Sequence, residues 1–382
     1  MTELNIKKLT ENLNDCLERD SRTGRTGAVA ACVTQHGKEV YTCFFGTASY
    51  NGSNVPDSRS LFRIASMTKP VTAVAFGVLC DKFGVDPDDG LYRYVPEAKQ
   101  LRLKVFDENM KQVDLCSIDG DMPLRRLLNH TSGIGSENIG AYNTDRFPKE
   151  MAVNLETAVK CWLDYGVAFY PGSRQCYSPT AAFDVAGLII ERVSELSVNE
   201  FYQKYVFDPC EMPDTTFTPS ADQWKRIVWM HNHRDGKAEE QPMKEGCVFG
   251  SIPISYPLCG GGLISSLNDY RNFAEMLRAG GVYNGIRIIS EGYFKRMTNP
   301  TVPEFIQPGD QRWGLGMRVI TGSSYHLLPV GAFGWSGAYG THFWVDPVND
   351  ITAIYLKNSV YGAAGGTAAE FEQNVHNALK EA

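Results

Sequence analysis

The sequence predicts an α/β fold of the α+β type, in which both ends of the chain build one antiparallel sheet around an inserted, mainly helical domain. Segments rich in β-branched and aromatic residues lie near the start, at residues 28–49, and again at residues 313–357. Helical patterns dominate the region between them. A chain of 382 residues is long for one compact core, and this length favours two domains.

Two elements are expected before residue 50. Residues 4–19 carry leucines at helical spacing among charged residues, which predicts an amphipathic helix. The segments AVAACVTQ, at residues 28–35, and EVYTCFFGTAS, at residues 39–49, are separated by the turn residues His36-Gly37-Lys38. They predict a β-hairpin in the sheet.

The later elements follow the same two patterns. VTAVAFGVLCDKFG, starting at Val71, predicts a buried helix that Gly84 closes. TAAFDVAGLIIERVSEL predicts the clearest helix of the middle region, which otherwise reads as helix and loop. Near the end, WGLGMRVI, GTHFWVD and ITAIYLK predict three strands, and residues 367–380 predict a last helix.

These elements define two expected domains. Residues 1–80 and 251–382 form a discontinuous sheet domain, flanked by the N-terminal and C-terminal helices. Residues 81–250 form the mainly helical domain. The functional cleft is expected between the two.

Composition excludes several classes of function. The net charge of −7 offers no basic field for a phosphate backbone, so we expect no nucleic-acid partner. No apolar run reaches the roughly 18 residues of a membrane span, and the first residues lack the apolar core of a signal peptide. We therefore expect a cytoplasmic protein whose ten cysteines are reduced. The absence of Cys-x-x-Cys argues against zinc and dithiol chemistry, and no metal or other cofactor is expected.

The segment RIASMTKPV places Ser66 three residues before Lys69 at the expected start of a helix. Residues at this spacing share a helix face, so both side chains can point into one cleft. A serine hydroxyl is a poor nucleophile until a base takes its proton, and lysine accepts a proton only when it is neutral. Burial and neighbouring groups must therefore lower the lysine pKa. Ser-x-x-Lys also occurs by chance, so the pair alone leaves a nucleophile with its base and a coincidence both open.

The chemistry calls for a third group that shares the proton, and Tyr177 is a candidate. It lies in the Pro/Gly-rich loop YPGSRQCYSPT just before a predicted helix. Loops held by a rigid scaffold commonly carry catalytic side chains. The alternative is a loop tyrosine that only packs its ring.

Taken in order, Ser66-Met67-Thr68-Lys69, Tyr177-Ser178 and Trp335-Ser336-Gly337 resemble the motifs of the penicillin-recognising serine hydrolases. The likeness is to class C β-lactamases and to their esterase relatives, the family VIII carboxylesterases, and it covers about residues 25–358. LRRLLNHTSGIG, CGGGLISSLNDYRNFAEML and FGWSGAYGTHFWVDP also resemble the family. The resemblance implies a β-lactamase/transpeptidase-like fold.

The resemblance also implies roles for individual residues. Ser66 is the acylated nucleophile, Lys69 its proton acceptor, and Tyr177 the group that completes proton transfer to the leaving group. The backbone N–H groups of Ser66 and Ala338 form the oxyanion hole. Trp335-Ser336-Gly337 stands where lactamases have Lys-Thr-Gly and contributes to substrate binding.

Two departures from the lactamase pattern make the expected site more apolar. Trp335 replaces a lysine that attracts the carboxylate of a β-lactam. Pro179 replaces the asparagine of Tyr-x-Asn, which binds an acylamino carbonyl. An uncharged or hydrophobic ester is therefore the expected substrate. Tyr142, Phe249 and Tyr256 are candidates for the wall of an acyl pocket, although core packing explains each of them as well.

Four further patterns each permit more than one interpretation. His130 in NHTSG permits a Ser-His-Asp interpretation, but the resemblance implies a structural role. His231-Asn232-His233 has the spacing of two metal ligands without a third partner, so loop or surface histidines are expected. Gly334-Trp335-Ser336-Gly337-Ala338 nearly matches the Gly-x-Ser-x-Gly elbow, but a strand follows it, which disfavours Ser336 as the nucleophile. Gly260-Gly261-Gly262 lacks the lysine of a phosphate loop and suggests a close backbone approach instead.

The leading hypothesis is a serine carboxylesterase that works through an acyl-enzyme on Ser66. An acyltransferase that passes the acyl group to an alcohol or amine keeps the same chemistry. A β-lactamase or D-peptidase is a narrower variant that Trp335 disfavours. A catalytically silent member that binds a small ligand belongs to a different class. The sequence leaves the oligomeric state open.

Overall fold

The computed structural model describes residues 1–106, 112–136, 154–234, 237–244, 246–250, 252–253, 256–360 and 367–379. Its α-helices are α1 (Ile6–Arg22), α2 (Thr68–Phe83), α3 (Arg125–Leu128), α4 (Leu155–Asp164), α5 (Ala181–Ser194), α6 (Val198–Tyr202), α7 (Ala221–Trp224), α8 (Leu267–Arg278), α9 (Glu291–Thr298) and α10 (Thr367–Asn377). Its strands are β1 (Ala28–Gln35), β2 (Lys38–Gly46), β3 (Leu61–Arg63), β4 (Arg102–Phe106), β5 (Gln112–Ser117), β6 (His231–Arg234), β7 (Lys237–Glu240), β8 (Cys247–Phe249), β9 (Ile252–Pro253), β10 (Ile264–Ser266), β11 (Val282–Tyr283), β12 (Ile286–Arg287), β13 (Gln311–Trp313), β14 (Arg318–Ile320), β15 (Phe333–Ser336), β16 (His342–Asp346) and β17 (Ile351–Leu356).

A seven-stranded antiparallel sheet joins the two ends of the chain in the order β13-β14-β15-β16-β17-β1-β2. The join is made where β1 pairs with β17, with Ala30 opposite Leu356. Every residue of both strands is buried, so these two strands lie at the centre of the hydrophobic core. The predicted fold class is confirmed, as are the N-terminal hairpin and the sheet built from both termini.

Each face of the sheet is covered by helices. On one face, α1 and α10 pack over residues such as Trp344 and Tyr355. On the other face, α8 packs against β16 and β17, and a continuous apolar cluster includes Phe343 of the sheet, Val74 of α2 and Phe183 of α5. The predicted domain division at residues 80 and 250 stays a prediction, since this cluster draws on both parts.

A small antiparallel sheet leads into the segment that carries Ser66 and Lys69. Strand β3 pairs with β10, with Phe62 opposite Ser265, and the chain then passes through a 3-10 turn, Ala65–Met67, into α2. Helix α2 is buried along most of its length and ends at Gly84, whose φ of +71° is the left-handed conformation that glycine adopts without strain. The prediction of a buried helix closed by this glycine is confirmed.

One prediction about local structure is wrong, and another is incomplete. WGLGMRVI does not form one strand, because Gly316 adopts a φ of +75° and the chain reverses, so that β13 and β14 pair with each other. The middle region also contains hairpins, β4 with β5 and β6 with β7, where helix and loop were expected. Such two-stranded ribbons are too short to produce a clear alternating pattern.

Two general expectations can be compared with the structure. None of the helices in the described ranges combines the length and apolar character that a membrane crossing requires. All ten cysteines are free thiols, so none is in a disulfide.

Docking of α10 on the sheet gives a test of the fold. Phe371 of α10 is fully buried between Trp344 and Tyr355, with ring centroids 5.3 Å and 5.6 Å away. We expect Phe371→Ala to lower the free energy of unfolding by about 3–5 kcal/mol, because it removes buried apolar surface and leaves a cavity. Urea unfolding followed by circular dichroism measures this change.

Phe305→Ala is the matched control, because that side chain is 85% exposed. A surface truncation of this kind changes stability by less than about 0.5 kcal/mol. Equal effects of the two substitutions would contradict the described packing of α10.

Candidate active site

Ser66 lies in the 3-10 turn between β3 and α2. Ala65, just before it, has a φ of +46°, in the left-handed region that residues with a side chain rarely occupy. A short side chain keeps this strain small, and strained backbone of this kind is common at functional sites. The Ser66 side chain is buried, and the residue lies two positions before the first residue of α2, next to the end of the helix where backbone N–H groups lack partners within the helix.

Lys69 is fully buried and its amine has three oxygen neighbours. Nζ lies 2.6 Å from the carbonyl oxygen of Pro179, 2.6 Å from that of Gly260 and 3.2 Å from Oγ of Ser66. Carbonyl oxygens can only accept, so the two short contacts take two N–H groups. In a neutral amine, the third position holds the lone pair, and it is directed at the Ser66 hydroxyl.

Burial lowers the pKa of Lys69 to about 7, although the charge of Asp184 acts in the opposite direction. A pKa near 7 leaves about half of the molecules with a neutral amine at neutral pH, against about one in a few thousand for an ordinary lysine. Ser66 and Lys69 therefore have the geometry and the protonation that a nucleophile and its base require.

The loop that supplies one of the two carbonyl groups is fastened along α2. Thr72 Oγ1 donates to the carbonyl oxygen of Cys259 at 2.7 Å, and Leu263 N–H donates to Thr68 Oγ1 at 3.2 Å. A side chain at Gly260 would place its Cβ 2.8 Å from the carbonyl oxygen of Pro179, so only glycine fits. The close backbone approach expected of the glycine run is thus observed at Gly260.

Tyr177 lies beside this pair. Its ring centroid is 4.9 Å from Nζ of Lys69, and its hydroxyl accepts a hydrogen bond from Nε1 of Trp335 at 3.3 Å. The half-buried ring stacks on Trp313, at 5.9 Å and 25° between planes. The three residues that the sequence singled out are therefore neighbours in space.

His130 supports the tyrosine from behind. Its Nδ1 accepts the backbone N–H of Ser178 at 3.0 Å, and its ring centroid lies 4.5 Å from that of Tyr177. Burial lowers the pKa of His130, and Lys69 lowers it further, so the imidazole is neutral. This arrangement matches the structural role that the resemblance implied.

Strand β15 brings Trp335, and Gly337 just after the strand, against the 3-10 turn Ala65–Met67 that carries Ser66. A Cβ at Gly337 would lie 2.3 Å from the carbonyl oxygen of Ile64, two residues before Ser66, so glycine permits this contact. Thr341 Oγ1 donates to the same oxygen at 3.0 Å. Ala338 follows in an exposed turn, and among the described residues its N–H donates to no acceptor.

Ser336 points away from Trp335, because successive residues of a strand face opposite sides. Its Oγ lies 2.8 Å from Nδ1 of His342, and Nε2 of His342 lies 2.8 Å from Oε1 of Glu372. The hydroxyl of Ser336 is thus engaged on the sheet face that α10 covers, while Trp335 lies with Tyr177 on the other face.

The remaining lining candidates are less exposed than expected. Tyr256 is buried and its hydroxyl donates to Asp184, and Phe249 is buried against Tyr339 with 5.4 Å between ring centroids. Tyr142 lies outside the described residues. His231 is fully buried on β6, which corrects the expectation of a loop or surface histidine. In the described part of the chain, His231 joins no group of three metal-ligating side chains.

Two residues that matter here were missed by the sequence reasoning. Asp184 of α5 is fully buried and accepts hydrogen bonds from the Tyr256 hydroxyl, from Cys259 N–H at 3.0 Å and from Trp162 Nε1 at 3.2 Å. Burial raises the pKa of Asp184 to about 7, against the effect of these donors. A single acid within the apolar run AAFDVAGLII was the available signal.

Trp313 was the second missed residue. It lies 4.4 Å from Trp335 between ring centroids and 4.2 Å from His130, so three aromatic residues surround the phenol of Tyr177. No sequence signal marked it, since it was only the first residue of the predicted strand WGLGMRVI. Its ring contributes to an uncharged, aromatic wall.

The chain is similar to known proteins over most of its length. The family model described as Beta-lactamase matches residues 11–377. Protein Rv1367c of Mycobacterium tuberculosis (strain ATCC 25618 / H37Rv) is 31% identical in an alignment of 334 residues that covers 80% of this chain and 79% of that protein. Esterase EstB of Burkholderia gladioli is 26% identical in a gapped alignment of 394 positions that covers 95% of this chain and 94% of that protein.

Among solved structures, EstCE1, described as a hydrolase with promiscuous acyltransferase activity, superposes with a TM-score of 0.79. It is 20% identical, and the match covers 98% of both chains, so the likeness establishes the shared fold. Together with the family match over almost the whole length, these findings show that the chain belongs to the Beta-lactamase family.

Proposed function

We propose that the protein is a serine hydrolase that cleaves uncharged or hydrophobic carboxylic esters through an acyl-enzyme on Ser66. The observation that carries the proposal is the set of contacts around Lys69: two carbonyl oxygens occupy two N–H groups, and the third position faces Ser66 Oγ. An amine held in this way, with a pKa of about 7, can accept a proton from the hydroxyl.

The proposed reaction has two halves. Ser66 Oγ attacks the ester carbonyl as its proton passes to Lys69, and the backbone N–H groups of Ser66 and Ala338 stabilise the oxyanion. Tyr177, next to Lys69, passes the proton to the departing alcohol. Water then attacks the acyl-enzyme, gives up a proton to the same pair of residues, and releases the acid as Ser66 regains its proton.

The aromatic wall supports the choice of substrate. Trp335, Trp313 and Tyr177 contact each other beside the nucleophile turn. An anionic substrate would lose part of its hydration at this aromatic surface, and Trp335 offers no positive charge to compensate. Desolvation of an unpaired charge is costly. An uncharged ester suits this surface better than a β-lactam or a D-peptide carboxylate.

An acyltransferase is the second candidate, with the same acyl-enzyme and a different acceptor. The aromatic wall favours it as well, because an alcohol with apolar substituents would be retained there in competition with water. Adding n-butanol to the p-nitrophenyl butyrate reaction and measuring butyl butyrate by gas chromatography distinguishes the two. Ester product that exceeds acid product at low butanol concentration would favour transfer.

The nucleophile is tested by Ser66→Ala. We expect p-nitrophenyl butyrate hydrolysis to fall at least about 10³-fold, because removal of a nucleophile leaves only binding and oxyanion stabilisation. A fluorophosphonate probe should label the unaltered protein once, at Ser66, as peptide mass spectrometry would show. The exposed Ser58→Ala is the control and should behave like the unaltered protein. Full activity in Ser66→Ala would end the proposal.

The base is tested by the pH dependence of kcat/KM. Since Lys69 must be neutral to act and its pKa is about 7, the rate should rise through about pH 7 and level off above it. Asp184→Asn removes a negative charge that favours the lysine cation, so this limb should move to lower pH. The exposed Asp164→Asn should leave it in place. A limb near the pH at which ordinary lysine titrates would contradict the assignment.

Selectivity is tested by Trp335→Lys. We expect kcat/KM for p-nitrophenyl butyrate to fall and its ratio to that for p-nitrophenyl hemisuccinate to shift toward the anionic ester by about 10-fold, the size of one charge-assisted hydrogen bond. The shift should shrink at high salt, because screening weakens the new ion pair. Trp335→Phe, which keeps an apolar ring, should preserve the original ratio. An unchanged ratio in the lysine variant would contradict the placement of this side chain at the substrate.

A further inference from the structure

The chain of contacts from Ser336 through His342 to Glu372 has no role in the reaction above. Ser336 and His342 form the last pair of the β15–β16 hairpin, directly opposite each other. Residues 337–341 make the turn, which is closed by Gly337 N–H to the carbonyl oxygen of Thr341 at 2.8 Å and by Gly340 N–H to that of Gly337 at 2.9 Å. Ala338, the proposed oxyanion donor, lies within this turn.

The turn is held against the nucleophile from one side. Thr341 Oγ1 donates to the carbonyl oxygen of Ile64 at 3.0 Å, and Gly337 leaves no room for a Cβ at the same contact. The position of the Ala338 N–H relative to Ser66 therefore depends on how the β15–β16 hairpin is seated. A bond across the base of the hairpin restrains that position.

The base of the hairpin is tied to α10. His342 and Glu372 side chains are each 1% exposed, and Nε2 of His342 lies 2.8 Å from Oε1 of Glu372. Arg318 Nη2 donates to Oε1 at 3.0 Å, and the Tyr325 hydroxyl donates to Oε2. Three donors from separate segments thus converge on one buried carboxylate.

The direction of each hydrogen bond in this chain follows from the charges. Burial raises the pKa of Glu372, but His342, Arg318 and Tyr325 together lower it to about 2, so the group is a carboxylate. Nε2 of His342 must then be the donor. Burial lowers the pKa of His342, so the ring is neutral and Nδ1 accepts the Ser336 hydroxyl proton. Each group therefore donates to the next, from the Ser336 hydroxyl to the His342 imidazole and from the imidazole to the Glu372 carboxylate.

We propose that Ser336, His342 and Glu372 are positioning residues that hold the β15–β16 hairpin so that the Ala338 N–H reaches the oxyanion. The inference rests on the proposed acyl-enzyme mechanism and adds that the hydrogen bonds from the hairpin to Glu372 of α10 contribute to transition-state stabilisation. A displacement of about 1 Å at a catalytic group can cost as much as 10²-fold in rate.

The same three residues could be read as a second nucleophile with its base and orienting acid. The position of the Ser336 side chain argues against this, because it lies on the face covered by α10 and Lys69 and Tyr177 lie on the other. Fluorophosphonate labelling of the Ser66→Ala protein distinguishes a second nucleophile from a positioning role.

The test compares Ser336→Ala and His342→Leu with His342→Gln, whose carboxamide can accept from Ser336 and donate to Glu372. For the first two variants we expect kcat for p-nitrophenyl butyrate to fall about 10-fold to 100-fold with little change in KM, since the oxyanion forms only after binding. The inhibition constant of phenylboronic acid, whose adduct with Ser66 places a B–OH group at the oxyanion position, should rise by a similar factor. His342→Gln should recover most of both losses.

Val375→Ala separates this effect from general loosening of α10. Val375 is buried on α10 but takes no part in the hydrogen-bonded chain, so the variant should lower Tm and leave kcat and boronate inhibition unchanged. All assays are run well below the Tm of each variant.

Three results would overturn the inference: unchanged kcat in Ser336→Ala and His342→Leu, a fall in kcat without weaker boronate binding, or fluorophosphonate labelling of Ser336 in the Ser66→Ala protein. Failure of the proposed function itself looks different, because the unaltered protein would then bind no boronate and Ser66→Ala would keep its activity.

Discussion

The site depends on one constraint, which is that an amine must be kept out of water without losing its hydrogen bonds. Lys69 is fully buried, and burial alone would leave its N–H groups unsatisfied at considerable cost. The carbonyl oxygens of Pro179 and Gly260 solve this by accepting two N–H groups at 2.6 Å each. Because they are neutral, they satisfy the amine without the strong stabilisation of its cation that a paired carboxylate would give. The charge of Asp184 opposes the lowering of the Lys69 pKa by burial.

This constraint explains several features that otherwise look unrelated. Two carbonyl groups from segments 110 and 191 residues away in sequence must meet at one nitrogen. That meeting requires Gly260 to lie against Pro179, the loop after Leu258 to be fastened to Thr72, and α2 to be buried on the faces that carry these groups. The loops at Pro179 and Gly260 thus supply hydrogen-bond acceptors to Lys69 in the first turn of α2, and Thr72 of the same helix holds the second loop in place.

The sequence was sufficient for the parts of the fold that rest on local pattern. The sheet from both termini, the hairpin β1–β2 and helix α2 with its terminal glycine all follow from periodicity and turn residues. The Ser66, Lys69 and Tyr177 cluster could be predicted because a neutral lysine calls for a third group and because the order of the motifs resembles that of the penicillin-recognising serine hydrolases. The tyrosine's spatial neighbours could not be predicted in this way. Trp313 reaches the ring only because Gly316 reverses the chain, and a φ above zero at one glycine is invisible in a strand-like run.

The pairing of Ser336 with His342 and Glu372 shows a second limit. Ser336 lies in a near match to Gly-x-Ser-x-Gly. Its partners come from the next strand and from the last helix, so strand register and helix docking together bring Ser336, His342 and Glu372 into contact. Neither the strand register nor the helix docking can be predicted from the sequence spacing of Ser336, His342 and Glu372. What local sequence could indicate is which face each residue takes, because alternate positions of β15 must point in opposite directions.

That alternation allows one strand to serve two purposes. Trp335 meets Tyr177 and Trp313 on one face, and Ser336 meets His342 on the other, while Gly337 lies directly against the backbone of the nucleophile turn. Under the proposed function, a change of side chain at Trp335 would alter which esters the site accepts without touching the buried Glu372 carboxylate and its donors on the other face. The polar contacts of Ser336 and His342 are therefore separated, by the thickness of the sheet, from the aromatic surface that we propose contacts the substrate. Substrate preference can vary on such a scaffold while the geometry of acyl transfer stays in place.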